Sequence, residues 1–129
     1  MQSRSHANGK IGKILVVEDY EPIRDMICEA LRENGYEPVP AASIAEATDI
    51  LFAEQPAVVI ADLFMPGDDV SFISAVKRAD PKRPVIVISS ASDDAVALAP
   101  HADLIVKKGE HVVRDIRRAI PLLLQRRSA

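Results

Sequence analysis

From residue 13 onward, short runs of aliphatic and β-branched residues alternate with longer stretches in which apolar residues recur every three or four positions. The first pattern predicts β-strands and the second predicts amphipathic helices. Four of the runs are almost wholly apolar, as expected for parallel strands covered on both faces; they lie at 14–17, 57–61, 85–88 and 104–106. The alternation therefore predicts an α/β domain built on an open parallel sheet.

A fifth strand, expected at 36–40, differs from the others because it contains Pro38 and Pro40. Proline has no N–H to donate to a neighbouring strand, so a strand with two prolines is expected at an edge of the sheet. This edge position restricts the order that the five strands can take.

The first two helices carry explicit start and stop signals. One begins near Pro22, a residue suited to the first helical position, and stops at Gly35. The other opens on Ser43 and Glu46, which form a Ser-x-x-Glu capping box. Both helices are therefore predicted from local chemistry as well as from periodicity.

The second half of the chain is less regular. Helices are predicted at about 69–80 and about 111–127, where apolar residues again fall at core spacing. Between the fourth and fifth strands, Pro100 leaves room only for a short or irregular fourth helix around 93–98.

Length and composition favour a single folded domain. The chain has 129 residues, of which 48% are hydrophobic and 27% charged, so it can close one core and global disorder is excluded. We expect a loose N-terminal tail over 1–12 and one domain over 13–127.

The composition also limits the partners. The net charge is −3 and aromatic residues make up only 4% of the chain, which argues against a general nucleic-acid binder. No apolar run approaches the roughly 20 residues of a membrane span, and the N-terminus lacks the apolar stretch of a signal peptide. The lone Cys28 cannot form an intramolecular disulfide. We therefore expect a cytoplasmic protein without a membrane partner.

The small net charge conceals two oppositely charged segments. Residues 18–37 carry seven acidic residues against two arginines, and residues 107–129 carry seven basic residues against two acids. Such segments suit protein partners selected by charge, although ordinary solvation with helix-dipole complementarity explains them equally well.

Polar side chains follow four of the predicted strands at the point where each apolar run stops. They are Glu18 and Asp19 after the first strand, Asp62 after the third, Ser89 after the fourth and Lys107 after the fifth. In an open α/β sheet, functional groups gather at the carboxyl ends of the strands. These five residues are therefore predicted to form one site.

The charges in this group favour a bound cation. Two ionised carboxylates about 4 Å apart repel by roughly 4 kcal/mol at an effective dielectric constant near 20. Mg²⁺ would offset this repulsion, because it prefers oxygen ligands and commonly bridges carboxylates to a phosphate. Aspartate can also form covalent phosphate intermediates, and Asp62 stands alone on a central strand, so it is the candidate nucleophile.

Taken singly, each of these residues has a simpler explanation. A strand-terminal acid such as Glu18 or Asp19 can serve as a helix cap, Ser89 as a turn residue, and Lys107 as a solvated charge. The joint arrangement at one sheet edge is what favours a functional site.

Four segments resemble the receiver domain of bacterial two-component response regulators. They are ILVVEDYEPIR (14–24), VVIADLFMPG (58–67), PVIVISS (84–90) and ADLIVKKG (102–109). The similarity covers about 13–126. It implies a flavodoxin-like, doubly wound fold, with a five-stranded parallel sheet in the order 2-1-3-4-5 and flanking helices.

The resemblance also implies the chemistry. A sensor histidine kinase or a histidine phosphotransfer protein would phosphorylate the protein with Mg²⁺ as cofactor, and the product would switch contacts with a downstream protein. The protein would not be an enzyme in the ordinary sense, but a phosphoacceptor that assists its own phosphoryl transfer and dephosphorylation. The resemblance leaves open whether the protein forms a homodimer. The implied roles are phosphoacceptor for Asp62, direct Mg²⁺ ligands for Asp19, Asp62 and the Phe64 backbone carbonyl, water-mediated ligand for Glu18, switch hydroxyl for Ser89, and phosphoryl-contacting ammonium for Lys107.

Three positions depart from the usual receiver pattern and are candidate modulators. Lys108 stands where proline usually follows the lysine in a cis peptide bond, Leu104 replaces a switching aromatic residue, and Ser90 replaces a small alanine or glycine. A cis bond before a non-proline residue costs roughly 2.5–4 kcal/mol. The bond between Lys107 and Lys108 is therefore either trans, with a reshaped loop, or strained.

Two other functions stay open at this point. Altered loops would suit a pseudo-receiver or dimerisation module with altered or no phosphorylation switching. A small phosphatase-like hydrolase could use Asp62 as a turnover nucleophile, although the sequence lacks a cap domain and an obvious general acid.

Overall fold

A computed structural model of the chain describes residues 12–62, 69–90 and 101–128. Within these ranges, five parallel strands form one sheet in the order β2-β1-β3-β4-β5. The strands are β1 (Lys13–Val17), β2 (Glu37–Ala41), β3 (Val58–Asp62), β4 (Val85–Ser89) and β5 (Leu104–Lys107). The predicted α/β fold and the strand order are confirmed.

Helices connect or follow these strands. In the described ranges they are α1 (Glu21–Glu33), α2 (Ile44–Glu54), α3 (Asp69–Ala79) and α4 (Val112–Ser128). Each corresponds to a helix predicted from the sequence. The short helix expected around 93–98 lies outside the described residues, as does the predicted tail up to residue 11. None of the four helices is long and apolar enough to cross a membrane.

Successive residues of the central strands pack on opposite faces of the sheet. Leu15, Val59 and Val87 lie on the face covered by α2 and α3, whereas Ile14 and Ile60 lie on the face covered by α1 and α4. All five residues of β3 and of β4 are buried. This two-sided burial explains why these strands are almost wholly apolar until their last residue.

β2 lies at an edge of the sheet, as its prolines predict. Pro38 is opposite Ile14 and Pro40 is opposite Val16, while the Glu37 N–H donates to the Gly12 carbonyl at 2.7 Å. Since backbone groups alternate along a strand, the N–H groups of β2 face β1 and the proline nitrogens face outward. The two prolines therefore cost β2 none of its hydrogen bonds to β1.

The C-terminus of α1 is closed by a glycine in the left-handed region. Gly35 has φ 86°. Its N–H donates to the Arg32 carbonyl at 3.1 Å, and the Tyr36 N–H donates to the Leu31 carbonyl at 3.0 Å. This pair of bonds is the Schellman motif, which satisfies the last carbonyls of a helix and turns the chain. The turn directs the backbone into β2.

The N-terminus of α2 is capped as the sequence predicts. Ser43 Oγ accepts a hydrogen bond from the Glu46 N–H at 3.1 Å. Glu46 Oε1 in turn accepts from the Ala42 N–H at 2.7 Å, one residue before the usual partner in a capping box. The cap fixes the start of the helix directly after β2.

The two oppositely charged segments are neighbours in the fold. The acidic segment includes α1 and the basic segment includes α4, and these helices contact each other on one face of the sheet. Their buried sides are apolar, with Ile27 and Leu31 on α1 and Ile116 and Ile120 on α4. The charges therefore lie on adjoining solvent-facing surfaces.

Candidate functional site

An acidic cluster lies at the carboxyl ends of β1 and β3. One carboxylate oxygen from each of Glu18, Asp19 and Asp62 lies within 4.8 Å of the other two. Because β1 and β3 are adjacent and parallel, their ends fall at the same edge of the sheet. The structure thus brings together the three acids that the sequence singles out.

Glu18 is fully buried and firmly positioned. Its N–H donates to the Ala41 carbonyl at 3.0 Å, and its backbone carbonyl accepts a hydrogen bond from Arg24 Nη1 at 2.9 Å. Its side-chain Oε2 accepts from the Tyr20 N–H at 3.1 Å. Burial raises the pKa of Glu18, and the charge of Asp62 adds to the rise, while the hydrogen bond from Tyr20 and the positive charge of Lys108 oppose it.

Asp62 and Asp19 differ in accessibility. Asp62 is the last residue of β3 and is only 5% exposed, because β3 is flanked by β1 and β4. Asp19 follows Glu18 and is exposed to solvent. The cluster therefore has a buried side and an open side, through which a small ligand or a partner protein can approach.

Lys108 provides the positive charge of the cluster. Its Nζ lies 3.0 Å from Asp62 Oδ2, in a hydrogen bond, and 3.0 Å from Glu18 Oε1, in an ion pair without hydrogen-bond geometry. Burial acts to lower the pKa of Lys108, but the contacts with Glu18 and Asp62 outweigh it, so the net shift is upward. The side chain therefore stays protonated at neutral pH.

Lys107, the lysine that the resemblance assigns to the phosphoryl group, is exposed as the last residue of β5. In the described parts of the chain, the lysine ion-paired with the acidic cluster is Lys108 and not Lys107. The same parts contain no cis peptide bond, so the Lys107–Lys108 bond is trans. The sequence feature that could have indicated this arrangement is Lys108 at the position where proline is usual. The sequence alone predicts only a modulating role for Lys108.

The other predicted site residues lie around this centre. Ser89 is the buried last residue of β4, and its carbonyl accepts from the Lys108 N–H at 2.9 Å. Ser90 is exposed, and Leu104 is partly buried at the start of β5. Phe64 lies outside the described residues.

The cluster fits a hard divalent cation. Its donors are carboxylate oxygens, which Mg²⁺ prefers. Glu18 Oε1 is buried, and within the described ranges it has no hydrogen-bond donor. Among the residues that the structure describes, three carboxylates face one ammonium, so this ionised cluster keeps an excess of negative charge. Glu18, Asp19 and Asp62 are accordingly the residues that could hold the metal.

Comparison with known proteins shows the family to which the chain belongs. The family model described as the response regulator receiver domain matches residues 14–118. The phosphate regulon transcriptional regulatory protein PhoB of Escherichia coli (strain K12) is 35% identical over 85 residues, which cover 64% of this chain and 37% of PhoB. The chain thus matches little more than a third of the length of that relative.

Solved structures show the same fold. The response regulator protein TrrA from Thermotoga maritima, in complex with Mg²⁺-BeF, is 26% identical with a TM-score of 0.78, over 86% of this chain and 97% of TrrA. The beryllofluoride-activated NtrC4 receiver domain dimer is 30% identical with a TM-score of 0.81, over 90% of this chain and 98% of that receiver.

Proposed function

Since this chain belongs to the response regulator receiver domain family of two-component systems, we propose that it is a phosphoacceptor that receives a phosphoryl group on Asp62 and then alters its contacts with a downstream protein. The donor is a sensor histidine kinase or a histidine phosphotransfer protein in the cytoplasm. The proposed direct Mg²⁺ ligands are Asp19, Asp62 and the Phe64 carbonyl, with Glu18 acting through water.

The observation that carries this proposal is the environment of the Asp62 carboxylate. It lies at the carboxyl end of the central strand β3, with Glu18 and Asp19 oxygens within 4.8 Å and the Lys108 ammonium at 3.0 Å. A nucleophilic carboxylate for phosphoryl transfer needs nearby positive charge, because both the nucleophile and the transferred group are anionic.

The transfer itself needs little from the protein beyond positioning. An Asp62 carboxylate oxygen forms a bond to phosphorus while the P–N bond of the donor phosphohistidine breaks, and the electron pair of that bond stays on the histidine nitrogen. Mg²⁺, when bound, neutralises charge on the phosphoryl oxygens. The Lys108 ammonium stabilises the same charge from its place beside Asp62.

The product changes the charge at the end of the sheet. A phosphoryl group brings about −1.5 to −2 charge and several acceptor oxygens. Ser89 ends the neighbouring strand β4, where its hydroxyl is the proposed partner for one of these oxygens. A hydrogen bond there would draw the segment after β4 toward the site. It would thereby favour one conformation of the surface to which a partner protein binds.

Phosphorylation by a small donor tests the proposal. The full chain is incubated with Mg²⁺ and acetyl phosphate, and the intact mass is measured over time. We expect the added mass of one phosphoryl group, absent in Asp62→Asn and retained in Asp49→Asn, which removes an exposed carboxylate on α2. Beryllofluoride with Mg²⁺ should shift the NMR resonances around Asp62 in the wild-type protein.

Each contrary result has a defined meaning. A wild-type chain that takes up no label and does not respond to beryllofluoride would overturn the proposal in favour of a pseudo-receiver or dimerisation module. Sustained turnover of many donor molecules without a stable label would instead indicate a hydrolase that uses Asp62.

A further inference from the structure

We infer that Lys108, rather than Lys107, is the cationic group of the site, and that it competes with Mg²⁺ for the carboxylates of Glu18 and Asp62. The inference deepens the proposed function and rests on it. The Lys108 ammonium would thereby lower the affinity of the unphosphorylated protein for Mg²⁺.

The end of β5 decides which lysine reaches the cluster. Side chains of successive residues in an extended strand point to opposite sides. Lys107 is exposed at the last position of β5, and Lys108 follows it with a partly buried side chain. The Lys108 N–H donates to the Ser89 carbonyl at 2.9 Å, a bond that the proline usual at this position could not form. This bond holds the Lys108 backbone against the end of β4, next to the strand that carries Asp62.

The Lys108 ammonium contacts carboxylate oxygens to which a metal ion could bind. It lies 3.0 Å from Asp62 Oδ2 and 3.0 Å from Glu18 Oε1, so it contacts two of the three carboxylates in the cluster. Mg²⁺ binds carboxylate oxygens at about 2.0–2.1 Å and repels a neighbouring ammonium. Metal binding at Asp62 Oδ2 therefore requires the ammonium to withdraw, and binding at another oxygen of the cluster is still opposed by the ammonium charge.

The same contacts would stabilise the folded cluster before a metal ion binds. Glu18 is fully buried and Asp62 nearly so, and two such carboxylates without a counter-charge would oppose folding. Lys108 is tethered to the chain and thus always present, whereas Mg²⁺ must be taken up from solution. Removing the ammonium should therefore make the fold more dependent on Mg²⁺.

Two neighbouring lysines provide a matched experiment. Mg²⁺ affinity is measured by calorimetry on the full chain for the wild type, Lys108→Met and Lys107→Met, which share the same change in charge. We expect Lys108→Met to bind Mg²⁺ at least about ten-fold more tightly than the wild type. Lys107→Met should change the affinity less than about three-fold, because an exposed charge is well screened.

Thermal unfolding provides a second measurement, which remains informative if a variant is less stable than the wild type. Without metal, Lys108→Met should unfold at a lower temperature than the wild type, and Mg²⁺ should raise its midpoint by more than it raises that of the wild type. Lys108→Arg, which keeps the charge, should stay closer to the wild type than Lys108→Met does in both measurements.

Equal effects of the two methionine variants, or unchanged Mg²⁺ affinity in Lys108→Met, would overturn the inference. If Asp62 is still labelled by acetyl phosphate in that case, the proposed function stands and only the role of Lys108 is lost. Absence of both Mg²⁺ binding and labelling in every variant would overturn both.

Discussion

Lys77 on α3 donates a hydrogen bond to Asp103, directly before β5, at 2.6 Å. The same Asp103 oxygen accepts the Val85 N–H at 2.8 Å, and Lys77 Nζ also donates to the Arg83 carbonyl at 2.7 Å. Both side chains of the pair are mostly buried, with 17% and 24% of their surface exposed. One carboxylate therefore fixes α3, the start of β4 and the approach to β5 at the end of the sheet opposite the acidic cluster.

Replacing Asp103 by alanine should lower the free energy of unfolding by about 2–3 kcal/mol, because the Lys77 ammonium and the Val85 N–H both lose an acceptor. Urea unfolding followed by circular dichroism measures the loss. Glu54→Ala, which breaks the more exposed pair between Glu54 and Lys13, should cost less than about 1 kcal/mol. Equal losses in the two variants would show that the Asp103 carboxylate contributes no more than a surface ion pair.

Gly35→Ala should destabilise the protein by about 1–2 kcal/mol, the cost of a side chain in the left-handed region. Nothing lies within 4 Å of a Cβ placed at Gly35, so the cost arises from the backbone at φ 86° and not from a clash. Gly109→Ala is the matched control, because a Cβ there also meets open space and its φ lies outside the left-handed region. The midpoints of urea unfolding compare the two. A larger loss at Gly109 would refute this account of the α1 terminus.

Ser43→Ala should remove the side-chain cap of α2 and cost about 1 kcal/mol. The Glu46 N–H would lose its acceptor at 3.1 Å, while Ser43→Asp should retain one and stay within about 0.5 kcal/mol of the wild type. Thermal unfolding of the three proteins at one pH measures the difference. If aspartate and alanine were equally destabilising, the cap would not explain the effect.

Cys28 should react slowly with a thiol reagent in the native protein. Its residue surface is only 3% exposed, and burial raises the pKa of the thiol. A raised pKa means a smaller thiolate fraction at a given pH, and the thiolate is the reactive form. Reaction with a disulfide reagent at pH 8 should therefore be much faster in guanidinium than in native buffer. Comparable rates in the two conditions would show that the α1 core opens readily.

Local chemistry made much of the fold predictable. Pro38 and Pro40 indicate an edge strand, Gly35 a helix end, and Ser43 with Glu46 a helix start, because each of these residue types acts through its own backbone or a short hydrogen bond. The apolar runs indicate buried parallel strands because a strand covered on both faces needs apolar side chains on both. In the structure, both faces of the sheet are covered.

The site was predictable in its acids but not in its lysine. Glu18, Asp19 and Asp62 meet because parallel strands end at one edge, which follows from the strand pattern. Which of Lys107 and Lys108 faces them depends on where β5 ends and on the trans bond between the two residues, a difference of a single position. A one-residue shift reverses the side to which a side chain points, and a sequence with two adjacent lysines does not show which side is chosen.

Pro38 and Pro40 also limit how copies of this sheet can associate. A strand added along the outer side of β2 would find no N–H donor at either proline, so the sheet cannot readily be extended there. The opposite edge, β5, carries no proline. A sheet that can be extended at one edge only would stop growing after two molecules had paired, so this asymmetry disfavours continuous edge-to-edge assembly into fibres.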